Sequence, residues 1–148
     1  MVIKGAAQGA AAGVLATGAM TAVLEAGRRL SGHGQPPRNM VRALLPGGGA
    51  AVPRRGEDAA TAVAHAGFGA AAGALFGAVT GRRRPSRLLG AGYALAVMAA
   101  GYQGWAPRIG AQPPLHRDRP DRVATLAAAH VVYGWSLAAA LRRWRRGH

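Results

Sequence analysis

The sequence predicts an all-α integral membrane protein, a four-helix bundle with Gly/Ala-rich helix packing whose halves read as a parallel repeat of two helical hairpins. Three observations carry that reading. Half of the 148 residues are apolar and only 16% are charged. Every Lys, Arg, Asp and Glu lies outside four windows, residues 5–24, 59–81, 88–107 and 123–141. Each window is about 20 residues long, enough at ~1.5 Å rise per residue to cross a hydrocarbon core ~30 Å thick. The predicted spans run over 5–26, 59–81, 88–107 and 123–141 of a single membrane domain, 1–148, with proline-rich connections at 27–58 and 108–122.

The first span opens after Lys4 and lacks the compact apolar core and cleavage site of a secretory signal, so it is expected to be a retained helix. It closes at Glu25. The connection that follows holds "QPPR", "LLPGGG" and "VPRR", whose prolines and glycines interrupt helices. Within it, Asn39 to Leu45 reads either as an irregular loop or as one short interfacial helix. In the second case Arg38 and Arg42 reach headgroups while Met40, Val41, Leu44 and Leu45 face lipid.

The second span is followed by "GRRRPS", room for only a tight basic turn. The third ends near Tyr102, Gln103 and Trp105, and the polar stretch "RIGAQPPLHRDRPDR" leads into the fourth. That span runs directly into "RRWRRGH", where Trp144 reads as an interfacial anchor. Each half thus reads span, Gln-Pro-Pro, span, basic stop, with Gln35-Pro36-Pro37 and Gln112-Pro113-Pro114 ahead of windows containing His65-x-x-x-Gly69 and His130-x-x-x-Gly134.

Lys4, the Arg82 to Arg84 run with Arg87, and the arginines from Arg142 onward fall on one side in very short segments. This density puts the N- and C-termini in the cytoplasm by the positive-inside rule. The net charge of +14 does not point to nucleic acid, because the arginines punctuate apolar spans instead of forming a stripe on a soluble fold. The lipid bilayer is the expected partner, with a second copy or another membrane protein as further candidates. No cysteine is present, which removes disulfides and thiolate metal sites.

Small residues recur every four positions on two spans. Gly5, Gly9 and Gly13 form one stripe and Gly69, Gly73 and Gly77 another. Residues four apart share a helix face, and small ones there let backbones approach, since packing drives helix association in lipid. The two stripes are expected to meet each other. The segment "GFGAAAG" does not fit a dinucleotide loop, because no strand precedes it and Arg87 stands where an acidic residue would hold a ribose.

His65 and His130 each lie about seven residues into spans that start from the same side, so both imidazoles are expected ~10 Å below one surface. Glu25, Gln103 and Tyr133 fall in the same leaflet, and ionisable side chains within a membrane usually face a bundle interior. Three readings of this polar cluster stay open. The histidines can serve as neutral interhelical hydrogen-bonding groups, or line a vestibule for a proton or small polar solute, or hold a haem or metal between two helices. No cofactor is required by the first two.

Catalytic groupings are not evident. Ser31, Ser86 and Ser136 lack a nucleophile-elbow setting, and Glu57, Asp58, Asp118 and Asp121 sit beside arginines as ion pairs would. His33, His116 and His148 fall in loops or the tail.

The order of short motifs resembles the YagU-like family of small bacterial inner-membrane proteins. The matching residues are Glu25 at the end of a glycine-rich first helix, Pro36-Pro37-Arg38, His65 with Phe68, Gly104-Trp105 with Pro107, and His130 with Tyr133 ahead of Arg142 and Arg143. Val97 stands where that pattern has a histidine, and Thr125 and Ala127 lie near the place of an acidic residue. The resemblance implies a multi-pass protein of the bacterial inner membrane and directs notice to His65 and His130. It implies no reaction.

Overall fold

The computed structural model describes residues 2–31, 36–44 and 54–147, and among these all regular structure is helical. The elements are α1 (Val2–Ser31), α2 (Pro36–Leu44), α3 (Arg54–Thr80), α4 (Arg87–Gln103), α5 (Trp105–Arg108) and α6 (Pro120–Trp144), with short 3₁₀ turns at Leu115–Arg117 and Arg145–Gly147. Gln35, His33, Leu45 and His148 lie outside the described residues.

Three helices are long and apolar enough to cross a membrane, over Val2–Leu30, Gly56–Thr80 and Pro120–Trp144. The third predicted span is corrected. Helix α4 has 17 residues and stops at Gln103, because the chain turns at Gly104 (φ −94°, ψ −107°), whose N–H closes on the Ala100 carbonyl. It restarts as the four-residue α5. Hydropathy continues through Gly104, but helical geometry does not.

Local chemistry sets the other ends. Ser86 caps α4, its hydroxyl accepting from the Leu89 N–H at 3.0 Å. Pro120 sits in the first turn of α6, where a missing N–H costs nothing. Gly81 ends α3 with φ +55°, a left-handed conformation that favours glycine.

Helices α1 and α3 pack antiparallel, as do α4 and α6, and α1 also packs along α6. The two glycine stripes face each other. A Cβ at Gly9 would collide with the carbonyl of Gly73, one at Gly13 with that of Gly69, and one at Gly5 would stand 2.6 Å from the Gly77 oxygen. In the second pair, Gly90 and Gly134 make the same kind of backbone contact. Where α1 crosses α6, the bare Cα of Gly27 accommodates the Thr125 side chain.

Two tyrosines on the second pair bond to carbonyls of α3. Tyr133 donates to Gly69 at 2.7 Å and Tyr93 donates to Ala72 at 2.7 Å, with the Tyr93 ring 4.8 Å from that of Phe76. The core between the helices is Ala12, Ala16, Met20, Leu24, Phe76, Ala94, Leu126, Ala129, Leu137 and Leu141 with the tyrosines. Larger apolar side chains such as Leu15, Val63, Leu75, Val79 and Trp135 point outward. A hydrophobic exterior over a small-residue interior suits a lipid solvent.

One end of the bundle is closed by an arginine. Arg145 is buried, and its guanidinium donates to the Arg83 carbonyl at 2.6 Å and the Thr80 hydroxyl at 3.1 Å, with the Gly77 carbonyl at 3.5 Å and Gln8 Oε1 at 3.4 Å. It bridges the last turn of α3 and the turn that follows it, a helix end where a cation also complements the dipole. Burial lowers its pKa from the usual arginine value. Its neighbours in the basic segments, Arg82, Arg83, Arg143 and Arg146, are exposed.

Candidate functional site

At the other end the four long helices diverge around a cavity of about 290 Å³. Its walls are Met20 and Leu24 of α1, Ala64, Phe68 and Ala72 of α3, Ala94, Val97 and Met98 of α4, and Leu126 of α6. Polar atoms enter at a few points, from Thr17, His65, Tyr102, Trp105, Gln112, His130 and Tyr133. A mostly apolar chamber with a few convergent polar groups is the usual composition of a small-molecule site, and this volume lies near the lower end of the common range of ~300–1,000 Å³.

Helix α2 covers the chamber. Arg42 forms a two-pronged ion pair with Glu57 in the first turn of α3, at 2.6 and 3.0 Å. The carboxylate raises the pKa of the Arg42 guanidinium further above its ordinary range. With α2 held this way, Val41 is buried, and Met40, Val41 and Leu44 line the chamber. The expected contact with lipid is corrected for Val41, which turns inward because the bundle offers it an apolar hollow, whereas Leu44 at the rim stays largely exposed.

His65 and His130 both line this chamber, from α3 and α6. The Nδ1 atom of His130 lies 2.8 Å from the carbonyl of Leu126 one turn earlier. A carbonyl can only accept, so Nδ1 carries the hydrogen and the neutral ring keeps its lone pair on Nε2. His65 reaches the same tautomer by another route. Its Nδ1 is 3.4 Å from the Thr21 hydroxyl, which has already donated its only hydrogen to the Thr17 carbonyl at 2.8 Å. With the Thr21 hydrogen on Thr17, the imidazole is the donor in this contact.

Tyr133 lines the chamber with its hydroxyl hydrogen committed to Gly69. Glu25 does not line it: this carboxylate pairs with Arg28 at 2.6 Å and Arg29 at 3.1 Å on its own helix, half-exposed. Gln103 is exposed and lies outside the lining too. One residue is ~100° of helical rotation, so with Tyr102 turned in, Gln103 turns out. The amide in the chamber wall belongs instead to Gln112, buried in the connection after α5, with Oε1 lacking a partner among the described residues.

Below the connection, Tyr102 donates to Asp118 at 2.8 Å, and Arg122 lies 3.5 Å from the same carboxylate. This buried trio ties the end of α4 to the start of α6 and fixes the segment that carries Gln112. Among the described residues no three His, Cys, Asp or Glu side chains gather as a metal-ligand set, so any metal or haem reading rests on the two imidazoles alone. No family model, curated protein or solved structure matches the chain.

Proposed function

We propose that the chain is a small non-enzymatic membrane protein, multi-pass with α4 as its fourth span, that holds a small apolar molecule in the chamber under α2. The observation that carries this is the chamber itself, a hollow of about 290 Å³ with an almost wholly apolar wall beside the packed core of the bundle. The four packed helices alternate in direction, and α4 has no charge after Arg87 and exposes Leu88 and Leu89, which supports a fourth crossing. The order of motifs resembling the YagU-like family supports an inner-membrane location. The exposed cations at the Arg145 end support cytoplasmic termini.

A path across the bilayer for a proton or polar solute is the weaker reading. Between the chamber and Arg145 the interior is filled by Ala12, Phe76, Leu137 and Leu141, and a proton route needs polar side chains or water along its length.

Methionine supplies the test. Of the methionines, Met20, Met40 and Met98 line the chamber. Naphthalene added to the purified chain in nanodiscs should shift the ¹³C-methyl resonances of those three in saturable fashion. Ala94→Phe, which fills the chamber, should abolish the shifts. Non-saturable shifts at these methyls, unchanged in Ala94→Phe, would mean partition into lipid and defeat the proposal.

A further inference from the structure

We infer that the chamber selects apolar molecules carrying a hydrogen-bond donor, a phenol or alcohol in preference to an ether, ketone or hydrocarbon of the same shape. The inference rests on the chamber being a binding site and adds the chemistry of its occupant. It follows from where the hydrogens of the wall are already committed.

Each hydroxyl lining the chamber has donated its hydrogen elsewhere. Thr17 donates to the Gly13 carbonyl at 2.8 Å, Tyr133 to Gly69 at 2.7 Å and Tyr102 to Asp118 at 2.8 Å. Both imidazoles direct their N–H away, to Leu126 and Thr21, and so keep Nε2 as a lone pair with no partner among the described residues. Gln112 adds a third acceptor, Oε1, 7% exposed and unpartnered. The N–H groups that remain are the Gln112 amide and the Trp105 indole, and Trp105 is 40% exposed.

Gln112 Oε1 is a buried acceptor without a partner, a cost that a ligand hydroxyl removes, and at either imidazole Nε2 the same hydroxyl adds a hydrogen bond. An ether or ketone oxygen brings a lone pair to lone pairs and gains nothing at either histidine. The chamber volume suits a body of one or two rings or a short chain bearing that single hydroxyl.

Three probes of one shape test the inference: 1-naphthol, 1-methoxynaphthalene and naphthalene, titrated into the full chain in nanodiscs with ¹³C-methyl methionine and ¹⁵N-histidine labels. One net hydrogen bond corresponds to about a tenfold preference for 1-naphthol over the methyl ether. The naphthol alone should also move an Nε2 resonance of His65 or His130 away from its unprotonated, unbonded position. The His65→Phe/His130→Phe double variant should keep the naphthalene-induced methionine shifts and lose most of the preference.

Equal affinities for naphthol and its ether, with both Nε2 resonances unmoved, would overturn the donor selectivity and leave the binding chamber standing. Absence of saturable methionine shifts with all three probes would overturn the chamber as well. The wild-type comparison needs no variant, so it decides the matter even if the double substitution fails to fold.

Discussion

Substituting Gly73 by alanine should destabilise the bundle, although alanine is the better helix former. Helix propensity alone favours Ala over Gly by up to ~1 kcal/mol. Against this, the new Cβ would lie 2.8 Å from the Cα of Gly13 and collide with the Gly9 carbonyl. An ordinary carbon contact is ~3.5 Å or more, so α1 and α3 must part by roughly 0.7 Å at this point. Both opposing groups are backbone, so no rotamer change relieves the clash.

Overpacking of a tight interior costs ~1–3 kcal/mol, which leaves a net loss of up to about 2 kcal/mol after the propensity gain. At roughly 2–4 °C per kcal/mol for a chain of this size, the melting temperature should fall by up to about 8 °C. Gly18→Ala is the internal control, since a Cβ there meets nothing within 4 Å and only the propensity term applies. Helical circular dichroism against temperature, in one detergent at one concentration, reads both variants. If Gly73→Ala melts at or above Gly18→Ala, the close approach of α1 and α3 is refuted.

Arg145→Met should cost about 2 kcal/mol, because the Thr80 hydroxyl and Arg83 carbonyl lose a charged donor; Arg145→Lys should recover less than half, lacking the fork that reaches several acceptors. Tyr133→Phe should cost only about 0.6 kcal/mol, the usual worth of one interhelical hydrogen bond in a membrane. A melting point lowered as far as that of Arg145→Met would show that more than the Gly69 bond was lost. Arg42→Gln should free α2 from Glu57, so a single cysteine placed at Val97 in this cysteine-free chain should react faster with a maleimide than in the unaltered background. Equal labelling rates would show that the ion pair does not hold α2 over the chamber.

A charge inside hydrocarbon is costly, which made the long helices legible: three of the four charge-free windows fall on helices long and apolar enough to cross a membrane, while the other falls on the 17-residue α4. The boundary at Gly104 was not legible, since a hydropathy window averages over a turn that depends on one residue's backbone angles. The glycine stripes were legible for a similar reason: a period of four fixes a face, and a face made only of glycine has little use except against another backbone. Gly134 is the one glycine of α6, and on α4 Gly90, Gly92 and Gly101 do not recur every four residues, so this second contact offers no period to find.

For the candidate site, depth was readable and direction was not. Counting residues from the ends of two spans brings His65 and His130 to one level, and both line the chamber. Depth alone admits Glu25 and Gln103 as well. Glu25 could have been set aside from the sequence, since Arg28 and Arg29 follow at i+3 and i+4, the spacing at which helical ion pairs form. Gln103 required the rotation of α4, which few sequence features fix in a helix apolar on every side.

Gln112 illustrates the converse. Within a Gln-Pro-Pro stretch it reads as a loop marker, because a connection has no periodicity from which to infer burial. It lies in the chamber wall because Tyr102, Asp118 and Arg122 draw the connection down onto the bundle. Asp118 and Arg122 are a local pair four residues apart, but Tyr102 reaches them from the end of another helix, so the three-way contact is a product of the tertiary fold. The chamber's polar character therefore depends on a loop as much as on the spans. Loosening that trio, for instance by Tyr102→Phe, should weaken the contribution of Gln112 while leaving both imidazoles bonded to Leu126 and Thr21 within or between the long helices. The ¹⁵N-histidine spectrum of that variant should match the wild type, and altered Nδ1 resonances would show that the loop and the histidines are one cooperative unit.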